Sequence, residues 1–65
     1  MSLTTHIREY RIRDRMSQEE LAQRVGVRRE TIGNLENGKY NPSLKLAMDI
    51  AQVFGCTVED LFTFT

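Results

Sequence analysis

Apolar residues recur along the first part of the chain at helical intervals. Leu3, Ile7 and Tyr10 are spaced i, i+4 and i+7 with mainly polar and charged residues between them. This spacing places the three side chains on one face of an amphipathic helix. The pattern predicts a first helix over residues 4–14.

Two shorter helices follow, and each has a recognisable start or end. Ser17 and Glu20 have the spacing of a capping box, which predicts a second helix beginning at Gln18. Gly26 ends this helix because glycine adopts a positive φ without steric cost. A third helix is predicted over residues 28–36, with Ile32 and Leu35 pointing inward, and Asn37-Gly38 ends it.

The last third of the chain is its most apolar part. Ser43 can cap a fourth helix whose residues from Leu44 to Phe54 are mostly apolar, so we expect this helix to be buried nearly all round. Thr57 can cap a short fifth helix. The tail Phe62-Thr63-Phe64-Thr65 alternates with period two, which indicates a short C-terminal strand. The pattern as a whole predicts an all-α fold of five helices.

Composition narrows the classes of function. The chain has 65 residues, enough for one small domain, and it carries one cysteine and one histidine. These counts exclude a disulfide framework and a four-ligand zinc site, and we expect no metal, no cofactor and no enzyme activity. No apolar run is long enough to cross a membrane. The absence of an apolar leader and the lone thiol favour a cytoplasmic setting.

Net charge is zero, but its distribution is uneven. Nine Lys and Arg balance nine Asp and Glu over the whole chain. Residues 1–40 carry eight basic and six acidic side chains, whereas residues 41–65 carry one and three. The basic charge is therefore concentrated in the first three helices.

The second and third helices are predicted to form a helix-turn-helix unit. Only Gly26-Val27 separates them, a turn too tight for antiparallel packing, so the helices must cross steeply. At 100° per residue, Arg29, Glu30, Gly33 and Asn34 fall on the outward face of the third helix. In the major groove of DNA, arginine pairs with guanine, asparagine with adenine, and glutamate with cytosine.

These residues also match a known family. The runs Ser17-Gln18-Glu19-Glu20-Leu21-Ala22, Leu35-Glu36-Asn37-Gly38-Lys39 and Pro42-Ser43-Leu44 resemble the lambda-repressor/Cro-like, or XRE-type, helix-turn-helix regulators. The short chain and Lys39-Tyr40-Asn41-Pro42-Ser43-Leu44 resemble their one-domain subgroup, which includes the cytolysin-operon repressor. The resemblance implies a five-helix bundle and a homodimeric repressor on a palindromic operator in double-stranded DNA.

The resemblance also assigns roles to single residues. It implies that Arg29, Glu30 and Asn34 read bases. Glu30 has an alternative interpretation, a pair with a neighbouring arginine. The residues implied to contact phosphate are Gln18, Asn37, Lys39 and Asn41. Arg28 departs from the family, whose members often place a Ser or Thr cap there; we predict a phosphate contact for it, with a tolerated surface change as the alternative.

Two further sets of residues are assigned structural roles. The family positions of Arg11 and Glu36 imply an ion pair between the first and third helices. The surplus of apolar residues at the C-terminal end predicts a dimer interface. Its principal residues are Leu61, Phe62 and Phe64, together with the outer stripe of the fourth helix.

Other functions remain compatible with the same residues. One is an antitoxin or restriction-control regulator, which uses the same DNA-binding unit together with a protein partner. Another is a helical interaction module without DNA binding, because neutral net charge permits it and a fold alone does not establish function.

Overall fold

Helices account for most of the part of the chain that the structure describes. A computed structural model describes residues 2–64. The elements in chain order are β1 (Leu3–Thr5), α1 (Ile7–Arg13), α2 (Gln18–Val25), α3 (Arg29–Glu36), α4 (Leu44–Phe54), α5 (Val58–Leu61) and β2 (Phe62–Phe64). The five predicted helices are all present, and the predicted tail strand is present as β2.

Each of the five helices contributes at least one fully buried side chain to a single core. Burial of one such aliphatic side chain contributes about 1.5 to 3 kcal/mol to folding. The largest fully buried side chains are Ile7, Leu21, Ile32, Leu35, Ile50 and Leu61. The assignment of Leu61 to a dimer interface is therefore wrong, because α5 directs this side chain into the protomer's own core.

The N-terminal segment is a strand and not the first turn of a helix. Residues 3–5 pair antiparallel with β2, so that Leu3 lies opposite Phe64 and Thr5 opposite Phe62. The predicted first helix over residues 4–14 therefore starts too early, since α1 begins at Ile7. Two consecutive threonines favour extended backbone, and the tail strand supplies the hydrogen-bonding partner that a local pattern could not reveal.

The helix caps follow the sequence with one exception. Ser17 accepts a hydrogen bond from the backbone N–H of Glu20, and Gly26 ends α2 with φ 74°. The Glu20 carboxylate pairs with Arg24 at 3.0 Å, so the reciprocal bond of the predicted capping box is not made there. Thr57 and Asp60 form a complete capping box at the start of α5.

Helix α4 has a core face and an exposed face. Leu46, Ala47, Ile50, Ala51 and Phe54 are buried. Leu44 and Met48, however, are 74% and 55% exposed. The expectation that α4 is buried nearly all round is wrong, because a single layer of helices covers only one side of it.

The end of α3 lies directly against β1. Gly38 has φ +70°, and a Cβ atom added to it would lie 2.6 Å from the carbonyl oxygen of Leu3. Contacts between real Cβ atoms and backbone oxygens are not this short, so only glycine fits here. This close approach joins the third helix to the small sheet.

Candidate nucleic-acid interface

The α2–α3 unit and the loop that follows it carry all the predicted DNA-contacting residues. Only Gly26, Val27 and the cap residue Arg28 separate the two helices, so Gln18 begins α2 and Arg29 begins α3 within one compact unit. Gln18 is half-buried. The exposed members of the set are Arg28, Arg29, Glu30, Asn34, Asn37, Lys39 and Asn41. We call Arg28, Arg29, Glu30 and Asn34, with Asn37 and Lys39 beyond them, the recognition face.

A polar network connects this face to the interior. The Glu36 carboxylate accepts hydrogen bonds from Arg11 Nε at 2.6 Å and Arg11 Nη2 at 3.1 Å. Its Oε1 atom also accepts from Gln18 Nε2 at 3.1 Å. On the other side of the same amide, Arg29 Nη1 lies 3.5 Å from Gln18 Oε1. The network therefore runs from Arg11 through Glu36 and Gln18 to Arg29.

The inner end of the network is the better protected one. The side chains of Arg11 and Glu36 are 12% and 8% exposed. Arg11 Nη1 also donates to the backbone carbonyl of Met16 at 2.9 Å, so both charged groups are well supplied with partners. The hydrogen bond to Met16 could not be predicted from the sequence, because a backbone carbonyl can belong to any residue type.

The cations of the recognition face are available to an external anion. Within residues 2–64, no carboxylate lies within 4 Å of the charged groups of Arg28 or Lys39. Arg24 and Lys45, outside this face, each pair with an acid one helical turn away. Arg8 and Arg15, also outside this face, form no ion pair within residues 2–64, so the recognition face is distinguished by the adjacency of Arg28 and Arg29 at the start of α3 and not by the lack of neutralisation alone.

The surroundings of Glu30, Gly33 and Asn41 distinguish them from the other residues of this region. In the described part of the chain Glu30 forms no ion pair, so the interpretation of a pair with neighbouring Arg29 is not supported. A Cβ added at Gly33 would lie 3.9 Å from Gln18 Nε2, an ordinary van der Waals distance. Asn41 lines a groove with Leu44 and Phe64, a more apolar environment than the expected phosphate contact suggests.

Comparison with known proteins identifies the unit. A family model described as helix-turn-helix matches residues 7–61, which include all five helices. The chain belongs to the helix-turn-helix family. This result confirms the resemblance to XRE-type DNA-binding transcriptional regulators, a class whose role is not enzymatic.

Relatives of this helix-turn-helix protein are found both by sequence and by backbone arrangement, and their lengths differ. It is 63% identical over 62 residues to an uncharacterized HTH-type transcriptional regulator from Archaeoglobus fulgidus, covering 95% of this chain and 87% of that one. The restriction-modification controller protein C.AhdI from Aeromonas hydrophila is 31% identical with a TM-score of 0.76, covering 83% of this chain and 82% of that one. The clp gene regulator ClgR from Corynebacterium glutamicum is 26% identical with a TM-score of 0.77, covering 83% of this chain, which spans 57% of ClgR.

A second surface of the helix-turn-helix protein is apolar. The exposed side of α4 and the β1–β2 sheet form it together, and Leu44, Met48 and Phe64 are each more than half exposed. Two adjoining grooves share Val58, which makes the surface continuous. We call this surface the apolar face; its residues are Leu3, Leu44, Ala47, Met48, Val58, Phe62 and Phe64.

The cysteine, histidine and acidic side chains of residues 2–64 are the remaining candidates for a reactive or metal-binding site. Burial raises the pKa of the half-buried Cys56 thiol, which therefore stays protonated and unreactive near neutral pH. Across the described range 2–64, no three His, Cys, Asp or Glu side chains are grouped so that they could hold a metal ion. Over the same range no helix is long and apolar enough to cross a membrane.

Proposed function

We propose that this chain is a sequence-specific repressor that places α3 in the major groove of a palindromic operator. The proposal rests on one observation at the start of α3. The adjacent Arg28 and Arg29 are exposed there, and neither forms an ion pair with a carboxylate of residues 2–64. A short exposed helix with this polar face has the dimensions that the major groove accepts.

The recognition face divides into residues that read bases and residues that fix position. Arg29, Glu30 and Asn34 are the base-reading set, because they project from the solvent side of α3 and can match guanine, cytosine and adenine. An unpaired Glu30 in the described structure supports a role in accepting a hydrogen bond from cytosine N4.

Phosphate contacts surround this set. Arg28 and Lys39 supply charge at the two ends of α3, and Asn37 supplies a neutral donor. Gln18 Nε2 has two hydrogens, of which Glu36 takes one, so the second is available to a phosphate oxygen. Asn41 completes the set in the loop that leads to α4.

We also propose a homodimer formed through the apolar face. Exposed Leu44, Met48 and Phe64 form a continuous surface with half-buried Phe62, and such a surface is typical of protein interfaces. A two-fold dimer would place the two α3 helices about 34 Å apart, one turn of DNA, and would match a palindromic site. A single free protomer would hold too few charges for strong non-specific binding, since the net charge is zero.

A matched pair of arginine substitutions tests the proposed DNA contacts. The operator is first selected from random DNA, and binding of Arg29→Ala and Arg28→Ala is then measured on all its single-base variants at two salt concentrations. Arg29→Ala should lose about 1 to 3 kcal/mol of discrimination at one base pair. Arg28→Ala should weaken binding to every variant alike and reduce the salt slope by about 0.9 per protomer, or about 1.8 for the proposed dimer. Uniform weakening by Arg29→Ala would contradict the assignment.

A restriction-control regulator is the second candidate. It is favoured by the 31% identity to C.AhdI, a restriction-modification controller, over 83% of this chain. Such a protein would bind the operator of a nearby restriction or methyltransferase gene. If the selected operator has no restriction or methyltransferase gene beside it in the source genome, that result would count against this candidate.

A further inference from the structure

We propose that Glu36 is a positioning residue for base recognition. It fixes the orientation of the Gln18 amide, and that amide in turn directs the Arg29 guanidinium on the recognition face. The inference rests on the proposed function of Arg29, and it gives the buried ion pair a role beyond stability.

The inner side of the network determines which end of the amide faces inward. An ionised carboxylate only accepts hydrogen bonds, so Gln18 must present its Nε2 donor to Glu36. The Glu36 side chain is 8% exposed and held by two bonds from Arg11, and it cannot move away to accommodate the reverse orientation.

The outer side requires the same orientation for the opposite reason. A guanidinium only donates hydrogen bonds, so Arg29 needs the amide oxygen and not the nitrogen. Gln18 therefore connects the Glu36 carboxylate, which only accepts, to the Arg29 guanidinium, which only donates. The amide can make both contacts in only one of its two orientations. The 3.5 Å contact is long for a hydrogen bond and Arg29 is exposed. This contact therefore influences the direction of the guanidinium and adds little to the stability of the fold.

Glu36→Gln removes this control while preserving shape. The introduced amide can donate as well as accept, so it no longer dictates the orientation of Gln18. In the reversed orientation the Gln18 nitrogen would face Arg29, donor against donor, and the guanidinium would lose its direction. Base discrimination should then fall at the position that Arg29 reads, while it stays unchanged at the other positions.

The first experiment measures discrimination on the selected operator and its single-base variants. Wild-type discrimination at the Arg29 position is expected to be about five- to 150-fold, and Glu36→Gln should reduce it to less than about a third of its value. Glu20→Gln is the matched control, because it removes one carboxylate whose partner is Arg24. The control should leave the ratio unchanged. A folded Glu36→Gln variant with wild-type discrimination would overturn the proposal.

A reciprocal exchange separates positioning from charge and from folding. Gln18→Glu alone places two carboxylates together and should also lower discrimination, whereas Gln23→Glu on the same helix should not. In the double variant Gln18→Glu with Glu36→Gln, the introduced amide donates to the introduced carboxylate, which still accepts from Arg29. The double variant should recover discrimination relative to either single variant, although its overall affinity for DNA stays lower. Failure to recover would contradict the proposal.

The second experiment needs no DNA, so it also decides the matter if Glu36→Gln does not fold. In the NMR spectrum of the wild-type protein, the Gln18 side-chain amide proton that is bonded to Glu36 should exchange with water more slowly than the side-chain amide protons of exposed Gln52. Slow exchange should disappear in a folded Glu36→Gln variant and persist in Glu20→Gln. Equal exchange at Gln18 and Gln52 in the wild type would overturn the proposed orientation. Absence of any base preference in the wild-type protein would instead refute the proposed function of Arg29.

Discussion

The recognition face and the apolar face of this small domain are built in different ways. On the recognition face, exposed Arg29 contacts Gln18, which is bonded to the buried Glu36. On the apolar face, side chains such as Leu44 and Met48 project from α4 without directional contacts. Reading a base requires a donor in a fixed direction, whereas association requires apolar area, and each surface has the feature that its proposed task needs.

The two faces are joined at one point. Gly38 follows α3 and lies against the Leu3 carbonyl of β1, while β1 pairs with β2 and thereby with Phe64 of the apolar face. The Gly38–Leu3 contact therefore links the end of α3 to the sheet, and it leaves no room for a side chain at position 38.

The largest effect is expected at the buried ion pair. Glu36→Gln leaves the Arg11 charge without a carboxylate in a site where both side chains are about nine-tenths buried, and it should cost about 3 to 5 kcal/mol. Glu20→Gln, which breaks an exposed pair on α2, should cost less than about 0.5 kcal/mol. Thermal unfolding followed by circular dichroism measures both. Similar melting temperatures for the two variants would contradict the large cost expected for the buried pair.

The connection between the faces is tested by two glycines with similar backbone angles. Gly38→Ala combines a left-handed backbone with a clash against Leu3, and it should cost about 2 to 4 kcal/mol. Gly26 also has a positive φ, but an added Cβ would meet open space. Gly26→Ala should therefore lower the free energy of unfolding by only about 1 to 2 kcal/mol. Chemical denaturation gives both values. Equal costs would mean that β1 moves away from α3 easily.

The apolar face is tested through self-association. The double change Leu44→Glu with Met48→Glu should weaken dimer formation by about tenfold or more, which corresponds to about 1.4 kcal/mol. Ile12→Glu is a suitable control, because it places a charge at an equally exposed apolar site on α1. Sedimentation equilibrium distinguishes the variants. Monomeric wild-type protein at tens of micromolar, with and without operator DNA, would refute the dimer.

The smallest effect is expected at Gly33. An added methyl group would meet the Gln18 amide at an ordinary distance, so Gly33→Ala should stabilise α3 by about 0.5 to 1 kcal/mol. If DNA approaches this part of α3 closely, the same variant should bind the operator more weakly than the wild type. Denaturation and mobility-shift titrations measure the two effects separately. Lower stability of the variant would contradict the geometry described for Gly33.

Local chemistry explains why most elements could be predicted from the sequence. Ser17, Ser43 and Thr57 cap helices because a short side-chain oxygen satisfies a backbone N–H two or three residues ahead. Gly26 and Gly55 end helices because they adopt positive φ without strain. The outward side of α3 follows in the same way from its period of 3.6 residues.

Tertiary structure alone decided the features that depend on residues distant along the chain. Leu3 continues the apolar stripe of α1, yet it lies in a strand because β2 is available 59 positions later. Leu61, Leu44 and Met48 have similar hydrophobicity, but packing buries the first and exposes the other two. The orientation of the Gln18 amide depends on Glu36 and Arg29, from two ends of another helix. The sequence thus determined where α2, α4 and α5 begin and where α2 and α4 end, because those signals act over a few residues. Which apolar groups are covered, and how polar groups are directed, depended on contacts that exist only in the folded chain.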